Sequence, residues 1–301
     1  MRKVLKGFAF VIAAIVIIAG ALGLAVGPLS DRKRNRIVEV AITPVAYVDD
    51  EAARARGKYL FESRGCAECH GDNGAGRVVL NEPNGFYVKS PNISSGPGSV
   101  VKDYREADWV RTIRHGVSPA MHALFLMPSA DYSRMTNADL AALVSHVRAL
   151  PPATGTAAEI RLPFIVKALY VAGQVRDDAE SIDHSLPPAA PVAEGMTAEH
   201  GAYVAQMCRG CHGNTFSGGK IPGTPPDWPP AANLTPGPGS AMPRYESVDK
   251  FAAMLRTGKR PDGTAVSTVM PFTSLRNLND TDVGAVYAFL KTLPARPAGE
   301  R

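Results

Sequence analysis

Cys66-Ala67-Glu68-Cys69-His70 and Cys208-Arg209-Gly210-Cys211-His212 share the pattern C-x-x-C-H, and together they use all four cysteines of the 301-residue chain. Each is followed by a glycine, Gly71 and Gly213. This is the pattern on which haem c is attached: each thiol adds to one vinyl group, the two-residue spacer matches the vinyl separation, and the adjoining histidine lies under the iron. A chance pentapeptide or half of a zinc site competes for one such motif. Two motifs that account for every cysteine argue against both readings. The spacing also sets aside the disulfide framework first suspected in an exported chain.

Working outward, the motifs are landmarks in a duplicated unit of about 140 residues. Cys66 maps to Cys208 at an offset of 142, and Pro91-Asn92-Ile93-Ser94 resembles Ala232-Asn233-Leu234-Thr235 at 141. Trp109 to Gly116 matches Phe251 to Gly258 at 142, and Met127-Pro128 matches Met270-Pro271 at 143. Helix signals repeat with them. Asp49 or Asp50 caps a helix over EAARARGKYLFES that delivers Cys66, and Thr197 caps AEHGAYVAQM, which delivers Cys208. Middle helices follow Tyr104 and Tyr245 and end at Gly116 and Gly258, where a left-handed cap is needed. Last helices begin at Thr136 and Asn279, with Asp139 and Asp282 near the positive end of the helix dipole. Apolar residues then recur at helical spacing, as in Leu140, Leu143, Val144 and Val147. No alternating strand pattern stands out, and Gly (28) and Pro (25) are abundant. The expectation is an all-α chain of short helices wrapped twice around a haem, with domain 1 at 46–152 and domain 2 at 196–296. Residues 153–195, rich in Ala and Pro, read as a linker. Within it, Leu162 to Ala172 is too short to span a membrane and suits a strap on the domains or a contact with a partner.

Each motif supplies one axial ligand, His70 or His212. The sixth ligand separates carrying electrons from binding small molecules. Met127 and Met270 occupy the same place in both units, each before proline in the loop preceding the last helix; a neutral, soft thioether there favours ferrous iron. Met121, Met135, His115, His122 and His146 are rivals without a matched ligand in the second unit. Asn92, Asn233, Arg114 and Arg256 are candidate partners of haem propionates, or else turn-forming and solvated residues. Trp109, Tyr104 and Tyr245 read as packing residues. No nucleophile–base motif, phosphate loop or zinc-hydrolase pattern is present.

The first 36 residues hold seven of the 33 basic residues and one of the 28 acidic ones, leaving 26 against 27 in the remainder, about −1. The soluble part is therefore no polycation, and nucleic acid is not an expected partner. Gly7 to Gly27 contains no charged residue. At 1.5 Å per residue it spans roughly 30 Å, a bilayer core. Residues 1–36 are thus expected to be a single-pass anchor with its basic flank, in the inner (cytoplasmic) membrane. A cleaved signal peptide, with Ala19-Gly20-Ala21 as its site, is the alternative. Basic residues flank the run on both sides, so charge does not orient it. Haem attachment, made outside the cytoplasm, places the domains in the periplasm.

These pieces together resemble the cytochrome c subunits of membrane-bound alcohol and gluconate dehydrogenases and related dihaem cytochromes: C-x-x-C-H-G, then P-N-I-S or A-N-L-T, then M-P, then a final helix ending in L-P. The resemblance covers about residues 50–152 and 196–295. It implies class I-like cytochrome c domains; with the two motifs and the uncharged run above, the expectation is two such domains in tandem behind one transmembrane helix, carrying two haem c groups. It also implies ligation by His70 and Met127 in one and His212 and Met270 in the other. Partners would be a dehydrogenase subunit, a quinol-oxidising complex or a terminal oxidase. Those dehydrogenase subunits typically carry three haems where this chain has two motifs. A dihaem redox enzyme of peroxidase or thiosulfate-dehydrogenase type is the alternative, and it requires one open or unusually ligated iron.

Overall fold

A computed structural model describes residues 2–225 and 227–301, with most side chains of residues 2–19 outside that description. The first helix, α1, runs Arg2–Arg34. The run expected to cross a membrane falls within it and lies partly outside the described side chains. Among the described residues, no helix is long and apolar enough to cross a membrane. After α1 the chain crosses domain 1 as an extended strap. Val38 donates to the Met121 carbonyl at 2.8 Å, the Tyr47 hydroxyl donates to the Tyr104 carbonyl at 3.0 Å, and Ile42, Val45 and Tyr47 pack on the core.

Domain 1 consists of α2 (Glu51–Ser63), α3 (Cys66–His70), α4 (Glu106–His115), α5 (Ser129–Tyr132) and α6 (Asn137–Ala149). A helix in the linker, α7, covers Phe164–Val171. Domain 2 repeats the set with α8 (Ala198–Val204), α9 (Arg209–His212), α10 (Val248–Thr257), α11 (Phe272–Leu275) and α12 (Asp280–Thr292). The expected caps are in place. Asp50, Thr136, Thr197 and Asn279 each accept from the amide three residues on, satisfying a donor that the first turn leaves open. Gly116 and Gly258 close α4 and α10 at φ 61° and 71°.

Each core forms where the first and last helices of a unit cross. The crossing is made close by one glycine per unit: a Cβ on Gly57 would sit 1.9 Å from the Ala142 carbonyl oxygen, and one on Gly201 would sit 1.9 Å from that of Ala285. Any side chain there would push the helices apart.

One expectation needs correcting. The chain is not purely helical: Val78–Asn81 (β1), Tyr87–Lys89 (β2) and Glu159–Arg161 (β3) form an antiparallel sheet in the order β1-β2-β3. It draws the start of the linker onto domain 1, pairing Tyr87 with Arg161 and Lys89 with Glu159. Beside it Phe125, Leu162 and Tyr170 form a third small core. The stretch Leu162 to Ala172 is thus strapped to domain 1 through its buried side.

The two domains meet through a pseudo-two-fold exchange. The Tyr59 hydroxyl donates to Asp282 at 2.6 Å, and its counterpart Tyr203 donates to Asp139 at 2.6 Å. The aspartates that begin the last helices thus also join the domains. Around Asp282, Arg64 donates at 2.8 Å and His200 Nε2 lies at 2.8 Å, all three being buried. Around Asp139, Arg56 donates at 2.9 and 3.2 Å from a more exposed position. Burial pushes the Asp282 carboxyl up, but Arg64, Tyr59 and His200 outweigh it and hold it below the ordinary range. A carboxylate with a depressed pKa stabilises the fold fully above its unfolded value of about 3.9 and loses that effect as pH falls through the lower native value. Asp282→Ala is therefore expected to cost about 3–5 kcal/mol by stranding the buried Arg64. The loss should appear as a lower urea midpoint at neutral pH and fade as the buffer is taken below about pH 4. Asp139→Ala should cost less, because water reaches Arg56.

Candidate functional site

In domain 1, α2 ends at Arg64, and Gly65, at φ 87°, reverses the chain so that Cys66 starts a new turn. Domain 2 reaches the same place by a shorter route, with a 3-10 turn over Ala205–Cys208 leading into α9. After each histidine the chain enters a conformation open only to glycine: Gly71 at φ 75°, ψ 160° and Gly213 at φ 80°, ψ 168°. This explains physically the glycine after each motif.

All four cysteines are free thiols. Burial, with a lesser push from Cys69, raises Cys66 to about 12, and burial foremost raises Cys208 to about 12. Among the described residues, no group of three or more His, Cys, Asp or Glu side chains is placed to hold a metal ion.

His70 Nδ1 lies 3.1 Å from the Pro91 carbonyl oxygen, and His212 Nδ1 lies 2.9 Å from that of Ala232. A carbonyl only accepts, so in both rings Nδ1 carries the proton and Nε2 keeps a free lone pair. Burial also pulls both imidazoles below their ordinary range and keeps them neutral, the form that binds iron.

Those carbonyls belong to the peptide bonds that enter Asn92 and Asn233, whose side chains fix the turn that follows. The Asn92 amide nitrogen donates to Pro97 (3.0 Å) and Ala153 (2.8 Å), while its oxygen accepts from the Ser94 amide (2.9 Å) and hydroxyl (2.8 Å). Asn233 does the same with Pro238, Arg296 and Thr235. Each carboxamide has filled its two donors and two lone pairs, so none is left for a propionate. These residues are turn clamps next to the histidine-binding carbonyls. Arg114 donates to the Met135 carbonyl (2.7 Å) and to Asn137 (2.9 Å), and Arg256 pairs with Asp280. Both arginines thus brace the start of their unit's last helix, Arg256 from an exposed position and Arg114 from a buried one.

Met127 and Cys66 pack on one core, and Met270 and Cys208 on the other. Both Met-Pro turns are alike: the Met127 carbonyl accepts from the Ser129 amide at 2.7 Å, and the Met270 carbonyl accepts from the Phe272 amide at 2.8 Å. Asp178 of the linker also accepts from the Met127 amide at 3.0 Å. The rivals are engaged elsewhere. His115 faces His184 at 3.0 Å, His122 Nδ1 meets the Arg36 carbonyl at 3.3 Å, and His146 packs on Phe61. The Met121 carbonyl takes the strap, and Met135, in the domain 1 core, has the buried Leu278 at its matched position.

Sequence reasoning missed one feature. Trp109 Nε1 and Arg114 Nε are buried donors with no partner among the described residues. Trp109 shares the core with Cys66 and Met127. A bound group carrying acceptors would satisfy such donors. Neutral thiols, Nδ1-anchored imidazoles, a thioether on the same core and an orphan donor together fit a covalently held haem.

The sequence profile of cytochrome c matches residues 54–151 and again 198–294, the two units found above. The chain belongs to the cytochrome c family. It is 26% identical over 284 residues to the gluconate 2-dehydrogenase cytochrome c subunit of Pantoea cypripedii, covering 85% of this chain and 63% of that protein. With the fructose dehydrogenase cytochrome subunit of Gluconobacter japonicus it shares 24% over 270 residues, 80% of this chain and 53% of that one. A stretch of 103 residues is 33% identical to the alcohol dehydrogenase (quinone) cytochrome c subunit of Gluconobacter oxydans, 32% of this chain and 21% of the relative. The chain thus spans under two thirds of the length of these relatives.

Proposed function

We propose that the chain is an electron carrier holding two haem c groups, one on Cys66 and Cys69 and the other on Cys208 and Cys211. The axial pairs are His70 with Met127 and His212 with Met270. It stands in the inner membrane on α1 with both domains in the periplasm. It relays electrons from a dehydrogenase or quinol-oxidising complex to an acceptor such as a terminal oxidase. The carrying observation is the duplicated site, in which each imidazole has only Nε2 left to bind iron and each Met-Pro turn shares the core of its own attachment cysteine.

Bound haem supplies a one-electron couple. The chain's own residues do the rest. The Pro91 and Ala232 carbonyls fix ring orientation and tautomer, Asn92 and Asn233 fix the turns that follow them, and the apolar cores keep water out. Trp109 Nε1 offers a donor to a propionate of the first haem. Both attachment segments lie at the domain boundary: the Ser274 amide donates to Glu68 at 2.8 Å and the Gly210 amide to Asp131 at 3.1 Å. That placement suits an internal relay. The dehydrogenase partner is supported by the names of the relatives, and the anchor by the uncharged run at 7–27 lying in one helix.

An anaerobic titration of the full chain with a stoichiometric reductant tests this reading. It should take up two electrons per chain in reversible one-electron steps and return them to an added oxidant. Turnover of peroxide or thiosulfate at enzymatic rates by the isolated protein would contradict the carrier reading.

A further inference from the structure

The linker helix α7 divides its residues between two faces about 100° apart around its axis. Val166 and Tyr170 point into the third core, and Tyr170 is completely buried. Phe164, Ile165 and Leu169 point away from it and are 60%, 60% and 37% exposed. Ile165 and Leu169 are four residues apart, so they share one face, and Phe164 borders it. An eight-residue helix with three large apolar side chains on its outer side calls for a covering surface.

The same helix is fastened to the base of α1. Lys33 donates to the Tyr170 carbonyl at 2.8 Å, its ammonium lies 4.2 Å from the centre of the Tyr170 ring, and it pairs with Glu180 at 3.1 Å. Arg36 donates to the Tyr170 hydroxyl at 3.2 Å and grips the buried Asp177 with both nitrogens. Ser30, between them and the uncharged run, is fully buried. The position of this clamp along α1 sets the height of α7. The uncharged run ends at Gly27, six residues before Lys33. Six helical residues rise roughly 9 Å. The headgroup zone on each side of a bilayer core is about 5–8 Å thick, and surface helices bury their apolar faces about 5–10 Å into that boundary. The clamp therefore holds α7 at the outer edge of the headgroup zone, within reach of side chains directed toward the lipids. Basic residues lie there besides Lys33, which is paired with Glu180: Arg32 and Arg34 at the end of α1 and Lys167 on α7. That charge is complementary to an anionic lipid surface.

We propose that α7 lies on the outer leaflet of the bilayer that α1 crosses, with Phe164, Ile165 and Leu169 seated among the lipids. This inference rests on the membrane-anchor reading above. It makes domain 1 the membrane-proximal domain. Phe125, two residues before Met127, packs edge-on against Tyr170 at 5.3 Å, so the loop carrying Met127 is built onto the lipid-facing helix.

The test is photolabelling of the full, haem-loaded chain in vesicles of phosphatidylethanolamine and phosphatidylglycerol containing a lipid with a diazirine near the glycerol. Adducts are mapped by mass spectrometry. Residues 162–169 should be labelled within a few-fold of residues 20–27 and at least about tenfold above residues 183–191, as interfacial burial requires. The variant I165Q/L169Q, with an unchanged visible spectrum, should lose most of the label at 162–169 and keep it at 20–27. Labelling at 20–27 without labelling at 162–169 overturns the inference and leaves the anchor standing. Labelling at neither overturns both. Cross-links from 164–169 to a second copy or another protein, in place of lipid adducts, assign the face to that partner and also overturn the inference.

Discussion

Replacing Cys208 and Cys211 by alanine is expected to leave a protein with one covalently bound haem in place of two. The intact mass should fall by one haem, and covalent haem stain on a denaturing gel should halve. Domain 2 should suffer most. Cys208 and Met270 pack on its core, and among the described residues of that domain there is no sheet strand. Removing a covalently held group from that core removes apolar contact on several sides at once. Domain 1 has the N-terminal strap, the sheet and α7 to support it. The remaining haem should therefore keep its spectrum and potential. Changing Cys66 and Cys69 instead should also remove one haem, and with it the acceptor for Trp109 Nε1. If either pair could be removed with both haems still covalently bound, the attachment assignment would be wrong.

The second large effect concerns the sixth ligand. Met127→Leu and Met270→Leu nearly preserve side-chain volume, so a change in redox behaviour reports the sulfur rather than a cavity. Each should lower the potential of one haem by on the order of 0.1–0.2 V, a fraction of the roughly 0.8 V over which axial ligands move haem potentials. Each should also open one iron to carbon monoxide. Met135→Leu is the control. Its matched residue is the core leucine Leu278, so both potentials should hold and only stability should change, by about 1 kcal/mol or less. A drop in potential for Met135→Leu, with none for Met127→Leu, would move the ligand to Met135.

Much of this site is written in local sequence signals. The four helix caps, the two terminating glycines and the Met-Pro pairs each act within a few residues, so their spacing repeats from one unit to the next. The sheet left no such trace, because its strands are three or four residues long and one of them lies about 70 residues further along the chain. Asp139 and Asp282 read correctly as residues favoured in a first turn. That an aspartate there also accepts a hydroxyl from the opposite domain depends on how the domains dock, which no local pattern encodes. Asn92 and Asn233 are open to two readings by type. Only the full set of their partners shows that the carboxamide has no donor left. Trp109 reads as packing because its ring packs; the orphan nitrogen appears only when its neighbours are known.

The central claim is that both irons are closed by histidine and methionine. Optical and EPR spectra of the full oxidised chain, followed by carbon monoxide addition to the reduced protein, test it most directly. The expected result is two low-spin signals, a sulfur-to-iron charge-transfer band in the oxidised state, and no carbon monoxide binding at neutral pH. A high-spin signal, or rapid carbon monoxide binding at either haem, would contradict the account and favour a dihaem enzyme with an open iron.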